Sequence, residues 1–313
     1  MKHLKVPKER ASEVIRKVRE KGLQARNYGV FNDGTYVYVP LEGEGSIWDS
    51  EVVDIEGRPE KRGETPVRVS GSFDAIGTIA VIKARDMEKA SAMADSILKG
   101  GSGIRSVYMD TGISGEYRLR NLILVAGEEN RTSLYRENGV TLKVDLEKVY
   151  FSPRLATERM ILSKHVAEDE KILDMFCGVG PFSIVIARKQ KCNIVALDKN
   201  PFAIELLREN IAMNRLAGTV IPVCGDASEY VKSISGMDRV IMNLPENSGS
   251  FLSLASGAVR RGGLINYYEN LDVTSLEQRM EEIVGMGLEI VSKREVHTLS
   301  RTESMYSLEL KKT

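Results

Sequence analysis

The carboxyl-terminal half of the chain, residues 165–313, predicts an α/β fold built on a parallel sheet. Apolar strand-like runs alternate there with helical segments, and strict alternation of this kind gives parallel strands joined by crossover helices. The chain ends differently, because runs at 288–291 and 305–310 follow a helix near 275–284 with no helix between them. Five alternating runs and this terminal hairpin together predict a sheet of seven strands. The alternating runs are Lys171–Met175, Asn193–Asp198, Val220–Cys224, Arg239–Asn243 and Leu264–Tyr268.

The composition is that of a globular protein with about two domains and room for a small third. Hydrophobic residues make up 42% and charged residues 28%, which excludes disordered and collagen-like classes. The 44 basic residues balance 44 acidic residues, so a protein that is basic overall is excluded, although a localised basic face is not. No apolar run reaches the ~18 residues of a membrane span, and no signal-peptide core is present. We expect a cytoplasmic monomer without a membrane partner.

The few cysteines and histidines do not predict a metal centre. The three cysteines lack the CxxC spacing of a zinc site, and three cannot build a disulfide framework. The three histidines lie far apart in the sequence. We therefore expect no metal.

Residues 1–66 predict a small α+β domain with segregated charge. Apolar residues at helical spacing predict a helix from Glu9 to Lys21, and Asn32-Asp33-Gly34 predicts a turn into a strand at 35–39. Residues 40–66 have the composition of a loop and linker. The net charge is +6 over residues 1–26 and −5 over residues 41–66. The basic helix is either a solvated face or a surface for RNA phosphates.

Residues 67–164 predict a compact middle α+β domain. A buried strand is expected at Ile76–Ile82, and a helix at Met87–Leu98 that ends at Gly100-Gly101. Short strands should follow at 106–109, 122–126, 133–136 and 141–144. Four arginines at near-strand spacing form a candidate phosphate-contacting surface. They are Arg118, Arg120, Arg131 and Arg136.

A glycine-containing turn follows the first strand of the parallel sheet, in the segment 174–183. Gly178 and Gly180 allow the backbone to approach a ligand closely, although a tight turn in any α/β enzyme has the same composition. A dinucleotide fingerprint needs a third Gly or Ala where Ser183 stands, which argues against NAD. Asp174 at the strand end instead suits the ammonium group of S-adenosyl-L-methionine.

Acidic residues also end the next two strands. Asp198 can accept both hydroxyls of a ribose, or simply carry charge at a helix start. Asn200 and Pro201 predict the cap and first position of the following helix. Asp226 stands where a carboxylate can bond an adenine amino group. These positions strengthen the prediction of an adenosyl cofactor.

The fourth strand ends in Asn243-Leu244-Pro245, which is similar to the (N/D)-P-P-(Y/F) box of enzymes that methylate nitrogen on planar amines. Asn243 offers an amide oxygen to a target N–H, and proline fixes φ and leaves a carbonyl free to face the substrate. The alternative is that Asn243 only caps a helix.

The segment from Tyr150 to Arg159 is the most distinctive in the chain. Ser152-Pro153 breaks a strand, and a helix should begin near Thr157. Glu158 is flanked by arginines, and such a glutamate is usually part of a structural ion pair.

Taken together, these segments resemble the archaeal and eukaryotic tRNA (guanine-37) N1-methyltransferase family. The resemblance covers nearly the whole chain and rests on YFSPRLATER, DMFCGVGPFS, ALDKNPFAIELLRENI, IMNLPENSGSFL, FDAIGTIAVI and the amino-terminal LKVPKERASEVIRKVREKGL and TYVYVP. It implies a Rossmann-like, seven-stranded class I methyltransferase domain at 165–313. It also implies a small amino-terminal tRNA-recognition domain at 1–66 and an RNA-binding domain at 67–164. The implied reaction moves a methyl group from S-adenosyl-L-methionine to N1 of guanosine 37 in the anticodon loop of tRNA.

The resemblance also implies residue roles. Glu158 would be the general base, Arg118 or its rival Arg120 would stabilise guanine O6, and Tyr150 would lie against the base. Asn243 and Pro245 would contact base and methyl donor, with Arg154 and Arg120 on the substrate side. The implied cofactor-binding residues are Arg159, Asp174, Phe176, Gly178, Val179, Gly180, Pro181, Phe182, Asp198, Lys199, Asp226, Ala227, Asn243 and Pro245.

The chemistry supports this assignment independently. Guanine N1 carries a proton at neutral pH, so a carboxylate has to accept that proton as the methyl group arrives. Charge then develops on O6, where an arginine stabilises it. Neither a metal nor a covalent nucleophile is required.

Three other activities remain open at this point. One is the aminocarboxypropyl transfer of wybutosine synthesis, whose enzyme has a similar domain order but lacks the Asn-Leu-Pro box. The second is an additional carbon methylation of a tricyclic base. The third is a non-catalytic tRNA-binding protein.

Overall fold

Four sheets, with the helices that cover them, make up the part of the chain that the computed structural model describes, residues 1–25, 28–42, 50–57, 72–101 and 103–313. They belong to two compact units, Met1–Val67 and Arg68–Thr313. The further division of the second unit at residue 164 stays a prediction. Within the described residues no helix has the length and apolar character needed to cross a membrane.

The first unit is a four-stranded antiparallel sheet with one helix. Its strand order is β2-β3-β1-β4. The elements are β1 (Lys2–Pro7), α1 (Ala11–Glu20), β2 (Phe31–Asn32), β3 (Tyr36–Pro40) and β4 (Glu51–Asp54). The helix and the hairpin at Asp33 confirm the sequence prediction. Helix α1 buries Ala11, Val14 and Val18 in the same core as the β1 residues Leu4 and Val6.

The prediction of a continuous loop and linker at 40–66 was wrong at β4. This short strand has too little apolar alternation to show in the sequence, yet it pairs with β1. The pairing brings opposite charges together, since Lys5 Nζ lies 3.0 Å from the Glu51 carboxylate and the amino terminus pairs with Asp54. Charge that is segregated along the sequence is thus partly neutralised across the sheet. Residues 43–49 and 58–66 of the predicted linker lie outside the described residues.

The second unit begins with a four-stranded sheet of order β5-β6-β7-β8 and an antiparallel ribbon, β9-β10. The elements are β5 (Phe73–Ile76), β6 (Ile79–Ile82), α2 (Met87–Lys99), β7 (Ser106–Ser114), β8 (Leu119–Gly127), β9 (Thr132–Glu137) and β10 (Val140–Asp145). The single strand predicted at 76–82 is instead a hairpin. Gly77 forms its turn with φ of +58°, and a Cβ there would lie 2.2 Å from Ser133 Oγ. Only glycine fits both requirements.

The rest of the second unit confirms the predicted seven-stranded sheet. Its elements are α3 (Ala156–His165), β11 (Lys171–Asp174), α4 (Pro181–Lys189), β12 (Asn193–Asp198), α5 (Pro201–Met213), β13 (Thr219–Cys224), α6 (Ala227–Tyr230), β14 (Met237–Met242), α7 (Ser248–Ala258), β15 (Val259–Asp272), α8 (Leu276–Gly285), β16 (Leu288–Thr298) and β17 (Glu303–Lys312). The strand order is β13-β12-β11-β14-β15-β17-β16, with β17 antiparallel to both neighbours. Chain order reverses on either side of β11, and ligands bind α/β sheets at such a point.

Two asparagines fasten the β9-β10 ribbon to the seven-stranded sheet. Asn214, which caps the end of α5, accepts through Oδ1 from Thr141 N at 2.9 Å, and Asn210 on α5 accepts through Oδ1 from Lys143 N at 2.7 Å. Both side chains also donate to β10 carbonyls. The backbone N–H and C=O groups of Thr141 and Lys143 are therefore paired, and one hydrophobic core runs from the ribbon into the sheet.

Candidate active site

A cavity of about 530 Å³ lies within the second unit. The carboxyl ends of β11, β12 and β14 form one side, and the β7–β8 turn with residues 149–155 forms the other. Most residues predicted for the site line it. They are Arg118, Arg120, Tyr150, Arg154, Arg159, Phe176, Gly178, Val179, Pro181, Asp198, Lys199, Asp226, Ala227, Asn243 and Pro245. Glu158, Asp174, Gly180 and Phe182 are not among the lining residues.

The two glycines shape the turn after β11. Gly178 and Gly180 have φ of +53° and +84°, which side-chain-bearing residues rarely adopt. A Cβ on Gly180 would lie 2.3 Å from Leu207 Cδ1. Gly180 is the residue directly before Pro181, where α4 begins. Gly180 thus serves the turn, while Gly178 reaches the cavity wall.

Asp174 is a buried carboxylate with one oxygen unpaired. Its Oδ2 accepts from Ser183 Oγ at 2.7 Å, whereas Oδ1 has no partner among the described residues. Burial raises the pKa of Asp174 from 3.8 to about 7, and the negative charge of Asp198 adds to the rise. The serine that departs from the dinucleotide fingerprint therefore serves this carboxylate. A buried, half-paired carboxylate is suited to a cationic ligand group.

We expect Asp174→Asn to stabilise the free protein at pH 8. A carboxyl whose folded pKa lies above its unfolded value holds a proton that the unfolded chain releases, so stability falls as pH rises from about 4 to about 7. The rise in pKa to about 7 corresponds to an upper limit of about 4 kcal/mol. Urea unfolding of both proteins at pH 5 and pH 8 measures the effect.

Asp226→Asn is the matched control for this experiment. Asp226 is exposed, and a hydrogen bond from Ser228 lowers its pKa, so its loss should not stabilise the protein at pH 8. If wild type and Asp174→Asn lose the same stability between pH 5 and pH 8, the buried charge of Asp174 is not the cause.

Asp198 lies in the wall of the cavity. Its Oδ2 accepts from Gly178 N at 2.7 Å and its Oδ1 from Asn200 N at 2.9 Å. Burial raises the pKa of Asp198. The predicted helix cap beside it is confirmed, because Asn200 Oδ1 accepts from Phe202 N and Pro201 opens α5. The carboxylate is therefore held in one orientation by two backbone donors.

Asn243 and Pro245 follow β14 at the cavity. Asn243 Oδ1 is buried without a partner among the described residues. The cap of α7 is Asn247, so Asn243 is not that helix's cap. The sequence predicted that the box leaves a backbone carbonyl free to face the substrate, and this prediction was wrong for both the Leu244 and the Pro245 carbonyl. Leu244 O accepts from Asn247 N, and Pro245 O accepts from Asn270 N at 2.8 Å, because the chain turns there directly into α7 beside β15.

The two rival arginines occupy different environments. The Arg120 side chain is only 6% exposed and donates to Asp110, to Asp74 and to the Phe151 carbonyl. Arg118 lies in the β7–β8 turn with a φ of +56°, and its Nη2 is 2.7 Å from Glu246. Arg120 is therefore not part of an exposed phosphate-contacting surface, since its guanidinium is already paired. Arg118 is 31% exposed and has one ion-pair partner among the described residues, the exposed Glu246, so it is available to a ligand.

Asp74 organises the side of the cavity that the β7–β8 turn and residues 149–155 form, and the sequence analysis missed it. Its carboxylate accepts from Arg120 at 3.2 Å and from Arg154 Nε at 2.7 Å. The guanidinium of Arg120 lies 5.3 Å from the centre of the Tyr150 ring, which is 40% exposed. An aspartate inside the apolar FDAIG strand was the available signal, because a carboxylate in a buried strand needs a cationic partner.

Glu158 lies in the first turn of α3 and is 3% exposed. Both of its oxygens accept hydrogen bonds from Arg294, the Nη2 bond at 2.7 Å. Its neighbour Arg159 binds Glu137 through two bonds of 2.5 and 2.6 Å and lines the cavity. The sequence alternative of a structural ion pair therefore describes Glu158 in this structure. A role as general base stays a prediction.

Lys199 and Glu116 form an ion pair between the two sides of the cavity. Lys199 Nζ lies 3.4 Å from the Glu116 carboxylate in the β7–β8 turn. Both residues line the cavity.

Across residues 1–25, 28–42, 50–57, 72–101 and 103–313, no three His, Cys, Asp or Glu side chains form a group that could hold a metal ion.

The strand order and a cavity with acidic strand ends define a Rossmann-like methyltransferase. The chain belongs to the TRM5/TYW2 methyltransferase family: the sequence profile described as the TRM5/TYW2 methyltransferase domain matches residues 133–296, and that of the tRNA methyltransferase 5 N-terminal domain matches residues 4–44. The family resemblance stated from the sequence is thereby confirmed.

Similar proteins share nearly the whole architecture. The tRNA (guanine(37)-N(1))-methyltransferase Trm5b of Pyrococcus abyssi is 39% identical over 279 residues, covering 85% of this chain and 83% of the relative. A solved complex of aTrm5 and tRNALeu has a TM-score of 0.78 at 29% identity and covers 100% of both chains. A structure of Methanocaldococcus jannaschii Trm5 in complex with adenosine has a TM-score of 0.67 at 29% identity and covers 99% of both.

Proposed function

We propose that this enzyme transfers a methyl group from S-adenosyl-L-methionine to N1 of guanosine 37 in tRNA. The observation that carries the proposal is that one cavity collects Asp198 and Asp226 from strand ends, Asn243 from the box, and Arg118 with Tyr150 from the opposite side. The names of the relatives and the solved complex with tRNALeu support the substrate. The solved complex with adenosine supports an adenosyl cofactor.

The residues on the sheet side fit the cofactor. When bound, S-adenosyl-L-methionine supplies a methyl group on a positively charged sulfur. Asp174 does not line the cavity, so it would orient the ammonium group through a water molecule bonded to its unpaired buried Oδ1. Asp198 would accept from the ribose hydroxyls and Asp226 from the adenine amino group. Apolar surface around these contacts would come from Phe176, Val179, Pro181 and Ala227, with Gly178, Lys199 and Arg159 beside them. Phe182 and Gly180 would support this wall, since they do not line the cavity.

The residues on the opposite side fit a guanine base. Tyr150 presents a partly exposed ring on which the base can stack, and the Arg120 guanidinium lies 5.3 Å from the centre of that ring. Arg118 would donate to O6, where negative charge develops as the N1 proton leaves. The unpaired Asn243 amide would bond the Watson–Crick edge beside Pro245, and Arg154 would contact the RNA. Glu158 would accept the N1 proton.

The first unit would recognise the tRNA body away from the anticodon. Its β1 and α1 carry five of the nine basic residues that give residues 1–26 a net charge of +6. We expect deletion of residues 1–67 to weaken tRNA binding and to flatten the dependence of log Kd on log salt, because fewer phosphates are neutralised. Filter binding at several salt concentrations measures both changes.

Cofactor affinity is the control for this truncation, since Asp174, Asp198 and Asp226 belong to the second unit. Calorimetry should give the same cofactor Kd for both proteins. Equal salt slopes with and without residues 1–67 would contradict a phosphate-binding role for the first unit.

Nucleoside analysis of the product tests the proposed reaction. Unmodified tRNA transcripts with G37 or A37 are incubated with the enzyme and with cofactor labelled in either the methyl or the carboxyl group. Methyl label in 1-methylguanosine, from the G37 transcript alone, is the expected result. Carboxyl label in the RNA would indicate aminocarboxypropyl transfer, and no transfer of either label would indicate a binding protein.

A further inference from the structure

Arg294 is the residue that keeps Glu158 from acting in the structure described here. It lies on β16, the edge strand of the seven-stranded sheet, and its side chain is 42% exposed. Its two Nη atoms bond the two oxygens of Glu158, 136 residues away in sequence. Neither the sequence motifs nor the proposed reaction gives Arg294 a role.

Glu158 is next to the cavity but does not reach it. Leu155 and Arg159, on the same turn of chain, both line the cavity, whereas Glu158 does not. A general base needs a carboxylate oxygen that is free to accept the substrate proton at hydrogen-bond distance. Both oxygens of Glu158 instead accept from Arg294, which does not line the cavity either. Glu158 therefore has to leave Arg294 before it can serve as the base.

The free face of Arg294 belongs to a surface suited to RNA. Further along the same strand and the turn that follows it, His297 and Leu299 line the cavity. Arg154, 43% exposed, lies at the cavity as well. A guanidinium binds phosphate with the same two-bond geometry that it uses for carboxylate. A phosphate at this position is therefore a direct competitor of Glu158 for Arg294.

We propose that a backbone phosphate of the bound RNA takes over Arg294 and thereby releases Glu158 into the cavity. This inference rests on the proposed function, because it assigns Glu158 the role of base. Arg294 retains two charge-assisted hydrogen bonds throughout the exchange, which offsets the loss of the ion pair. Arg294 is thus a positioning residue that couples RNA docking to the availability of the base.

RNA binding tests the exchange without any methyl transfer. Glu158→Gln removes the carboxylate that competes with the RNA phosphate for Arg294. This variant should therefore bind the G37 transcript at least about fivefold more tightly than wild type. Arg294→Gln should bind more weakly, with a salt slope lower by about 0.7–0.9 for the lost phosphate contact. The double variant should lose the gain of Glu158→Gln. Arg261→Gln, an exposed arginine at the opposite end of β15 from Asn270, is the matched charge control.

Steady-state kinetics distinguish release from simple support of Glu158. We expect Arg294→Gln to raise KM for RNA several-fold while kcat stays within about threefold of wild type, and Arg294→Lys to recover part of the KM. A fall in kcat with unchanged KM and unchanged RNA affinity would overturn the exchange, since it would mean that Arg294 supports the base directly. Wild-type affinity of Glu158→Gln would also overturn it. If the binding pattern holds but the product is not 1-methylguanosine, the proposed reaction fails and the phosphate exchange stands.

Discussion

Replacement of Glu158 by glutamine is expected to lower kcat for methyl transfer by about 10²–10⁴-fold, the usual contribution of a positioned general base. The amide has nearly the same size but cannot accept the N1 proton as methyl transfer proceeds. Binding of RNA and cofactor should persist, so the loss should appear in kcat. Single-turnover rates at saturating tRNA and cofactor measure it.

A second carboxylate–arginine pair provides the matched control. Glu170 binds Arg239 through both oxygens, at 2.9 and 3.3 Å, and neither residue lines the cavity. Glu170→Gln should therefore lower stability without a comparable loss of kcat. If Glu158→Gln turns over at the wild-type rate, Glu158 is a structural residue and another group accepts the proton.

The parts of the fold that were predictable are those specified by neighbouring residues. Helices α2 and α5 are preceded by Asp86 and Asn200, whose side chains accept hydrogen bonds from N–H groups of the first turn, and such caps are visible in the sequence. The apolar runs of the parallel sheet are buried on both faces and are equally visible. Strand β4 was missed because its residues are mostly exposed and its partner β1 is about 50 residues away.

The residues of the candidate site likewise fall into those that the sequence predicted and those that it did not. The acidic strand ends and the two glycines follow from local chemistry, because the carboxyl ends of parallel strands meet at one edge of a sheet. The ion pairs do not follow, since Asp74 is 80 residues from Arg154 and Glu158 is 136 residues from Arg294. No periodicity connects such pairs. For that reason the sequence left Arg118 and Arg120 as rivals, and the structure separates them by their partners.

Arg118→Ala is expected to lower kcat by about 10²–10³-fold with little change in stability, as for the loss of one donor to a developing oxyanion. Arg118 is partly exposed and has Glu246 as its surface partner, so its removal leaves no buried charge behind. Arg120→Ala should instead cost about 3–5 kcal/mol of stability, because it leaves the carboxylates of Asp74 and Asp110 buried with less compensation. Thermal unfolding and single-turnover rates of both variants separate the two effects.

Glu246→Gln completes the comparison, because it frees the Arg118 guanidinium without removing it. The rate of this variant should be at least that of wild type if Arg118 acts on O6. The assignment reverses if Arg118→Ala keeps the wild-type rate while a folded Arg120→Lys loses it. In that case the buried guanidinium would have to leave Asp74 and Asp110 to reach O6, and the loss of rate should be accompanied by altered stacking on Tyr150. Because the Arg120 guanidinium lies 5.3 Å from the centre of the Tyr150 ring, fluorescence of a 2-aminopurine at position 37 reports that difference directly.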